Sequence, residues 1–308
     1  MHPAVQARWP QIRTYQIQDV ADGYFTGRLS VTPLGVTAVY DSEQGDVFLE
    51  PFATGQSRYH AVYYDNDVVF SAPHYTDGHE HFEEVEEEVQ LFEVDKETVK
   101  DLEKSSIPVD IRQFSLALVC TGEYAQDKGG TVEAVLASFV SAVNVANQTF
   151  GREVGVRVQL IENIEDLIFL NPSSDPFLQA DEGRELLGQI LGALEGAGVP
   201  STDYDMGHLF TGDCTDVGGA VSGGARVCAA GKERGVTCHN SNNITAIIRR
   251  IFNHEVAHQF DVDHSWSFCT EDNLDQLIIG SAFEPGAGST IMSFAGTCGS
   301  QNFAGDND

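Results

Sequence analysis

Cysteine is absent from the first third of this 308-residue chain: Cys120 is the first of six, followed by Cys214, Cys228, Cys238, Cys269 and Cys298. The N-terminal third therefore has neither disulfide staples nor thiolate ligands. An even count confined to the remainder points to disulfides and an oxidising compartment. Basic residues are scarce as well, with 17 Lys and Arg against 47 Asp and Glu, a formal net charge of −30. Nucleic acid and anionic membrane surfaces would be repelled and are excluded as partners. The imbalance reads as solubility, as in a saline habitat, ahead of attraction for basic substrates. No apolar run is long enough to span a bilayer. Met1-His2-Pro3 opens into mixed polar sequence without the apolar stretch of a secretory leader. Secretion, which the cysteines suggest, would thus need a leader outside this sequence. No C-x-x-C spacing offers a second metal site, and no internal repeat is present. Gly218-Gly219 and Gly223-Gly224 are followed by no Lys-Ser/Thr pair. Residues 212–235 therefore read as a flexible surface loop and not as a phosphate cradle.

What is present is concentrated in His254-Glu255-Val256-Ala257-His258-Gln259-Phe260-Asp261-Val262-Asp263-His264. Residues four apart share a helix face, so His254 and His258 can address one metal ion, with Glu255 on the adjacent edge. A sharp turn after Phe260 would return His264 as a third nitrogen. Three protein ligands leave a fourth tetrahedral position for water, the arrangement of a catalytic zinc. Upstream, Ile244, Ile247, Ile248, Ile251 and Phe252 follow helical spacing, and Asn242 or Asn243 offers an N-cap. Downstream, Ser289-Thr290-Ile291-Met292-Ser293-Phe294-Ala295-Gly296 places a methionine in a turn.

The long zinc motif followed by a Met-turn resembles the metzincin clan of metalloproteases. Within that clan, His258-Gln259-Phe260 with Glu284-Pro285-Gly286-Ala287-Gly288-Ser289-Thr290-Ile291-Met292 resembles the reprolysin-like (adamalysin-type) secreted bacterial peptidases, over roughly residues 110–300. The resemblance implies zinc held by His254, His258 and His264, Glu255 as general base, and Met292 as a hydrophobic floor. It implies an α/β (α+β) catalytic domain with a twisted mixed sheet and a zinc-binding helix, acting on proteins or peptides. It further implies that Gly207-His208-Leu209, within the strand-like Tyr204–Gly212, lines the substrate cleft, where an extended peptide adds by main-chain pairing; His208 itself reads as structural or cleft-wall and not as a fourth ligand, since three are already supplied. The family has Gly where this chain has Asp261. That position must take φ > 0 for the third histidine to return, at a cost of about 1 kcal/mol for Asp. Two cysteine pairs suggest themselves by position. Cys269 with Cys298 would tie the segment after His264 to the end of the Met-turn, and Cys214 with Cys228 or Cys238 would staple the Gly-rich loop.

The chain divides into three. Residues 1–78 read as a small β-rich unit, with strands at 24–31, 36–40 and 47–50, resembling a prosegment. Residues 79–109 are an acidic linker containing Glu83-Glu84-Val85-Glu86-Glu87-Glu88, suited to activation cleavage. Residues 110–308 form the catalytic domain. In it, strands are expected at 114–120 and 156–161, an amphipathic helix at 130–149 and a second helix at 181–196. Since the first unit lacks cysteine, a thiolate block of the zinc is excluded; Asp77, His79, Glu80 and His81 are the candidate latency ligands. Acidic residues are abundant enough for calcium, but nothing singles out a calcium site. A secreted, monomeric, latent zinc endopeptidase is the leading expectation. The alternatives are a catalytically inactive zinc-containing binding or adhesion module and a zinc-dependent hydrolase of non-peptide bonds.

Overall fold

The structure, a computed structural model, describes residues 1–20, 25–53, 57–68, 78, 111–212, 214–238, 245, 248–269, 274, 276–295 and 298. After a short helix α1 (Pro3–Arg8), with Pro at its start and His2 as N-cap, the chain forms an antiparallel meander. Its strands are β1 (Arg13–Gln18), β2 (Phe25–Thr32), β3 (Gly35–Tyr40), β4 (Val47–Pro51) and β5 (His60–Tyr64), in sequential order. The N-terminal third is thus β-rich as its alternating pattern indicates, with one strand more at each side of the three expected.

The second sheet follows the order β7-β6-β8-β10-β9. Strands β6 (Arg112–Cys120), β7 (Val156–Leu160), β8 (Met206–Thr211) and β10 (Gly235–Cys238) run parallel, and β9 (Gly219–Val221) closes one edge antiparallel to β10. Between β6 and β7 lie α2 (Gly122–Asp127) and the long α3 (Val132–Glu153). Thr131 caps α3 by accepting from the Ala134 N–H at 3.2 Å, Glu133 lies in its first turn and Arg152 in its last, as the helix dipole favours. Its apolar face, Val135, Leu136, Phe139, Val140 and Val143, is buried. Each such side chain contributes roughly 1.5–3 kcal/mol when fully buried. Val5 of α1, Ile12 ahead of β1, and Val39 and Phe48 of the meander join the same buried cluster as Leu116, Phe139 and Phe210, so both sheets share one core.

Three local expectations are corrected. The helix at 181–196 is two short ones, α4 (Gly183–Leu187) and α5 (Ile190–Gly196), interrupted at Gly188. The Gly-rich segment 212–235 is not simply a surface loop, because it contains the fully buried β9. The run into the zinc motif is not regular α-helix: Ile248–Phe252 forms a π turn, followed by α6 (Asn253–Gln259). Ile251 and Phe252 are buried as their spacing requires; Asn242, Asn243, Ile244 and Ile247 lie outside the described residues.

The meander grips this helical segment through charge. Glu50 Oε2 accepts from the Thr245 N–H and hydroxyl at 3.1 and 2.7 Å. Arg249 pairs with Asp65 at 2.7 Å and Asp46 at 3.1 Å, all three nearly buried. Disulfides join Cys214 to Cys238 and Cys269 to Cys298. Cys120, buried, and Cys228, exposed, are free thiols, so the even count does not mean complete pairing. No helix among the described residues is long and apolar enough to cross a membrane.

Candidate metal centre

Helix α6 carries His254 and His258 one turn apart, and the chain then reverses. The reversal depends on Asp261, whose φ of 67° is the left-handed conformation this position requires. Its carboxylate pairs with Arg226 at 2.7 Å, on the exposed side of the turn. His264 is thereby returned to the other two. The three Nε2 atoms lie 2.9 Å (His258 to His254), 3.1 Å (His258 to His264) and 3.2 Å (His254 to His264) apart. All three rings are buried.

The tautomers follow from the opposite ring nitrogens. His254 Nδ1 lies 2.6 Å from the Ile291 carbonyl, His258 Nδ1 2.7 Å from that of Val262, and His264 Nδ1 3.2 Å from that of Gln276. A carbonyl oxygen can only accept, so each Nδ1 carries the proton and each Nε2 presents a lone pair. Three converging lone pairs repel one another unless a cation sits among them. A tetrahedral zinc with bonds of about 2.0–2.1 Å would set its nitrogens about 3.3 Å apart, close to the separations found. The donor set therefore fits zinc. It is also the only group of three or more metal-binding side chains this close together among the described residues.

Glu255 is fully buried beside the triad. Its Oε2 accepts from the Val221 N–H at 2.8 Å, on the edge strand β9. The approach is close because Gly219 has no side chain: a Cβ there would stand 2.2 Å from Glu255 Oε1. Met292 is buried, and its carbonyl accepts from the Ser265 N–H at 3.0 Å. Phe294 packs edge-on to His264 at 4.8 Å between ring centroids and stacks at 5.0 Å on Trp266. Glu284 organises the turn before Met292. It accepts from the Ser265 and Thr290 hydroxyls and from the N–H groups of Ser289 (2.6 Å) and Thr290 (3.1 Å). Burial pushes its carboxyl up, but these hydrogen bonds outweigh burial and hold it below the usual carboxylate range.

Gly207, His208 and Leu209 do not line a cleft. They lie in β8, which is paired to β6 on one side and β10 on the other, so its main chain has no open edge. The edge belongs to β9. His208 instead bolts the zinc helix to the sheet. Its Nδ1–H donates to Gln259 Oε1 at 3.0 Å, and its Nε2 accepts from the Thr237 hydroxyl at 2.8 Å. Gln259 Nε2 in turn donates to the carbonyls of Gly207 and Lys232. Burial lowers the His208 pKa to about 4, the Gln259 hydrogen bond partly opposing it, which keeps the ring neutral. Asp77, His79, Glu80 and His81 lie outside the described residues.

Residues 111–307 match the model of a family described as metallo-peptidase family M12B, reprolysin-like. The chain belongs to that family. Its members are zinc-dependent peptidases, so protein or peptide substrates and a zinc cofactor follow for this reprolysin-like metallopeptidase, and the triad fits that cofactor. Among solved structures, it is similar to metalloproteinase-II from Bacteroides fragilis, at 8% identity and a TM-score of 0.44, over 82% of this chain and 72% of that one. No curated protein matches the sequence.

The structure brings together the three histidines that the sequence singled out, with Glu255 beside them and Ile291, next to Met292, against His254. Sequence reasoning missed Val221 and Gly219 beside Glu255, Glu284 beneath the turn, Phe294 against His264, and the three carbonyls that fix the tautomers. Of these, only Glu284 and Phe294 had a signal, lying within or next to the quoted Met-turn sequence.

Proposed function

We propose that this chain is a secreted, metzincin-type zinc endopeptidase made as a latent precursor, with residues 1–78 as prosegment, 79–109 as linker and 110–308 as catalytic domain. The observation that carries the reading is the convergence of three Nε2 lone pairs, each fixed by a backbone carbonyl, beside a buried glutamate. His254, His258 and His264 would hold the ion, over Met292. When bound, zinc supplies Lewis acidity towards a peptide carbonyl and acidifies a water. Glu255 accepts the proton of the attacking water and returns it to the leaving amine. The Val221 N–H fixes one carboxylate oxygen, so Glu255 needs no reorganisation during the reaction. The substrate main chain adds along the outer side of β9, away from β10 and next to Glu255.

What occupies that outer side supports latency. Gly78 is buried, and its N–H donates to the Gly219 carbonyl at 2.9 Å. The N-terminal third of the chain therefore reaches the strand edge that a substrate would use. A Cβ at residue 78 would stand 2.8 Å from Val217 Cγ1 and 3.0 Å from Ala220 Cβ, so the close approach depends on glycine. Asp77, His79, Glu80 and His81 flank Gly78 in sequence and are the proposed ligands that silence the metal. Secretion is supported by the two disulfides.

The test is hydrolysis of a casein-type substrate before and after limited trypsin cleavage between residues 79 and 109. The expected result is activity that appears on cleavage. Alanine at residues 77, 79, 80 and 81 together should unmask activity in the uncleaved chain; unchanged latency in that variant would remove these ligands from the scheme.

A further inference from the structure

Between the N-terminal meander and α3 lies a cavity of about 330 Å³. Arg28 enters it from β2 and Arg157 from β7; Gln16, Asn144 and Gln159 add amides to its wall. Among the described residues no Asp or Glu lines it, although the chain carries 47 acidic residues against 17 basic ones.

The two arginines come from different parts of the fold. Arg28 is opposite Gln16 in the meander, and Arg157 is opposite Gln113 in the second sheet. Arg28 is only 9% exposed, and its Nη2 donates to the Asn147 carbonyl at 3.4 Å. Burial and repulsion from Arg157 pull its pKa down to about 10, so the two guanidinium groups oppose each other's charge. Burying like charges is unfavourable, and an anion between them reverses the sign of the interaction. The planar fork of guanidinium matches the oxygens of carboxylate and phosphate, and a cavity of this size admits a small molecule.

We propose that this cavity binds a small oxyanion, of the phosphate or carboxylate class, which bridges Arg28 of the meander to Arg157 of the catalytic sheet. The anion binds only while the two parts are docked, so it stabilises the intact chain against separation of its N-terminal part. Nothing in this site touches the metal centre, and its occupancy does not depend on peptidase activity.

The experiment is thermal unfolding and titration calorimetry of the full chain with inorganic phosphate and, separately, succinate. Ionic strength is held constant with chloride, and zinc content is measured throughout. A saturable rise in Tm with either anion is expected, with affinity about tenfold weaker or worse in Arg157→Gln, where a charged hydrogen-bond donor is lost. Arg157 is half-buried, so this variant retains the fold; Arg28→Gln serves as the second. A response to phosphate alone assigns the site to phosphate, and a response to succinate alone assigns it to carboxylates. No saturable response to either anion, or an undiminished response in both variants, overturns the proposal.

Discussion

The Nδ1–H of His254 donates to the carbonyl oxygen of Ile291 at 2.6 Å, so the first histidine of the triad on α6 is held by the residue preceding Met292. The Met-turn thus orients a ligand through its main chain. Glu284 holds that turn through four hydrogen bonds, from two hydroxyls and two N–H groups.

Glu284→Gln should therefore weaken zinc binding by about tenfold, the lower end for a group that supports a ligand indirectly. Competition with a chromogenic chelator measures this. The same group gives a pH signature. Its folded pKa is depressed, so its contribution to stability is present above the unfolded value, about 4.3, and lost as pH falls through the lower folded value. Denaturant titrations between pH 6 and pH 3 should show a shallower acid decline in Glu284→Gln.

Gly219→Ala should cut turnover about 10²-fold while keeping the metal. The new Cβ would meet the Glu255 carboxylate at 2.2 Å, forcing it off the Val221 N–H. A displacement of this order costs about 10²-fold in kcat. Zinc content should stay at the wild-type value, because Gly219 touches none of the ligating rings. A variant that loses zinc and activity together would show that Gly219 acts on the fold instead.

His208 should make stability fall between pH 6.5 and 4. Its folded pKa is depressed to about 4, so the unfolded chain takes up a proton first as pH drops. The penalty grows from pH 6.5 downwards, saturates near pH 4, and amounts to roughly 3 kcal/mol. In chelator-treated protein, His208→Gln should be less stable at pH 7 but should show a flatter pH dependence across that window.

The triad was legible because metal chemistry demands particular side chains at particular spacings, and His254, His258 and His264 have no other common reason to recur so. Asp261 was legible for a related reason, since one backbone conformation is compulsory there. The carbonyls of Ile291, Val262 and Gln276 were not, since a backbone acceptor leaves no mark on residue type. The place of β8 at the sheet centre had a signal that the family resemblance overrode: Met206–Thr211 is a continuous buried run, as parallel central strands are, while the resemblance implied a cleft edge there. Strand β9 had none, because Gly219-Ala220-Val221 is short and two of its residues are poor strand formers. The π turn at Ile248–Phe252 shifts the helical phase without changing composition. Asp46, Asp65 and Glu50, which grip this segment, are hidden among 47 acidic residues.

That grip predicts a coupling between the N-terminal part and the zinc helix. Arg249 is 13% exposed and its partners Asp46 and Asp65 are 10% and 4% exposed. Arg249→Ala removes the cation that faces Asp65 and leaves Asp46 with Arg152 at 3.6 Å, and should cost about 3 kcal/mol in the intact chain. In protein cleaved in the linker and freed of residues 1–78, the same substitution should have little effect on unfolding. Equal destabilisation in both forms would show that Arg249 serves the catalytic part alone.

The most direct measurement is zinc content together with casein-type hydrolysis, on linker-cleaved wild type and Glu255→Ala side by side. One zinc per chain in both proteins, with hydrolysis in the wild type and none in Glu255→Ala, is the expected result. Hydrolysis that persists in Glu255→Ala, or a zinc-loaded wild type that hydrolyses nothing, would contradict a peptidase working through Glu255.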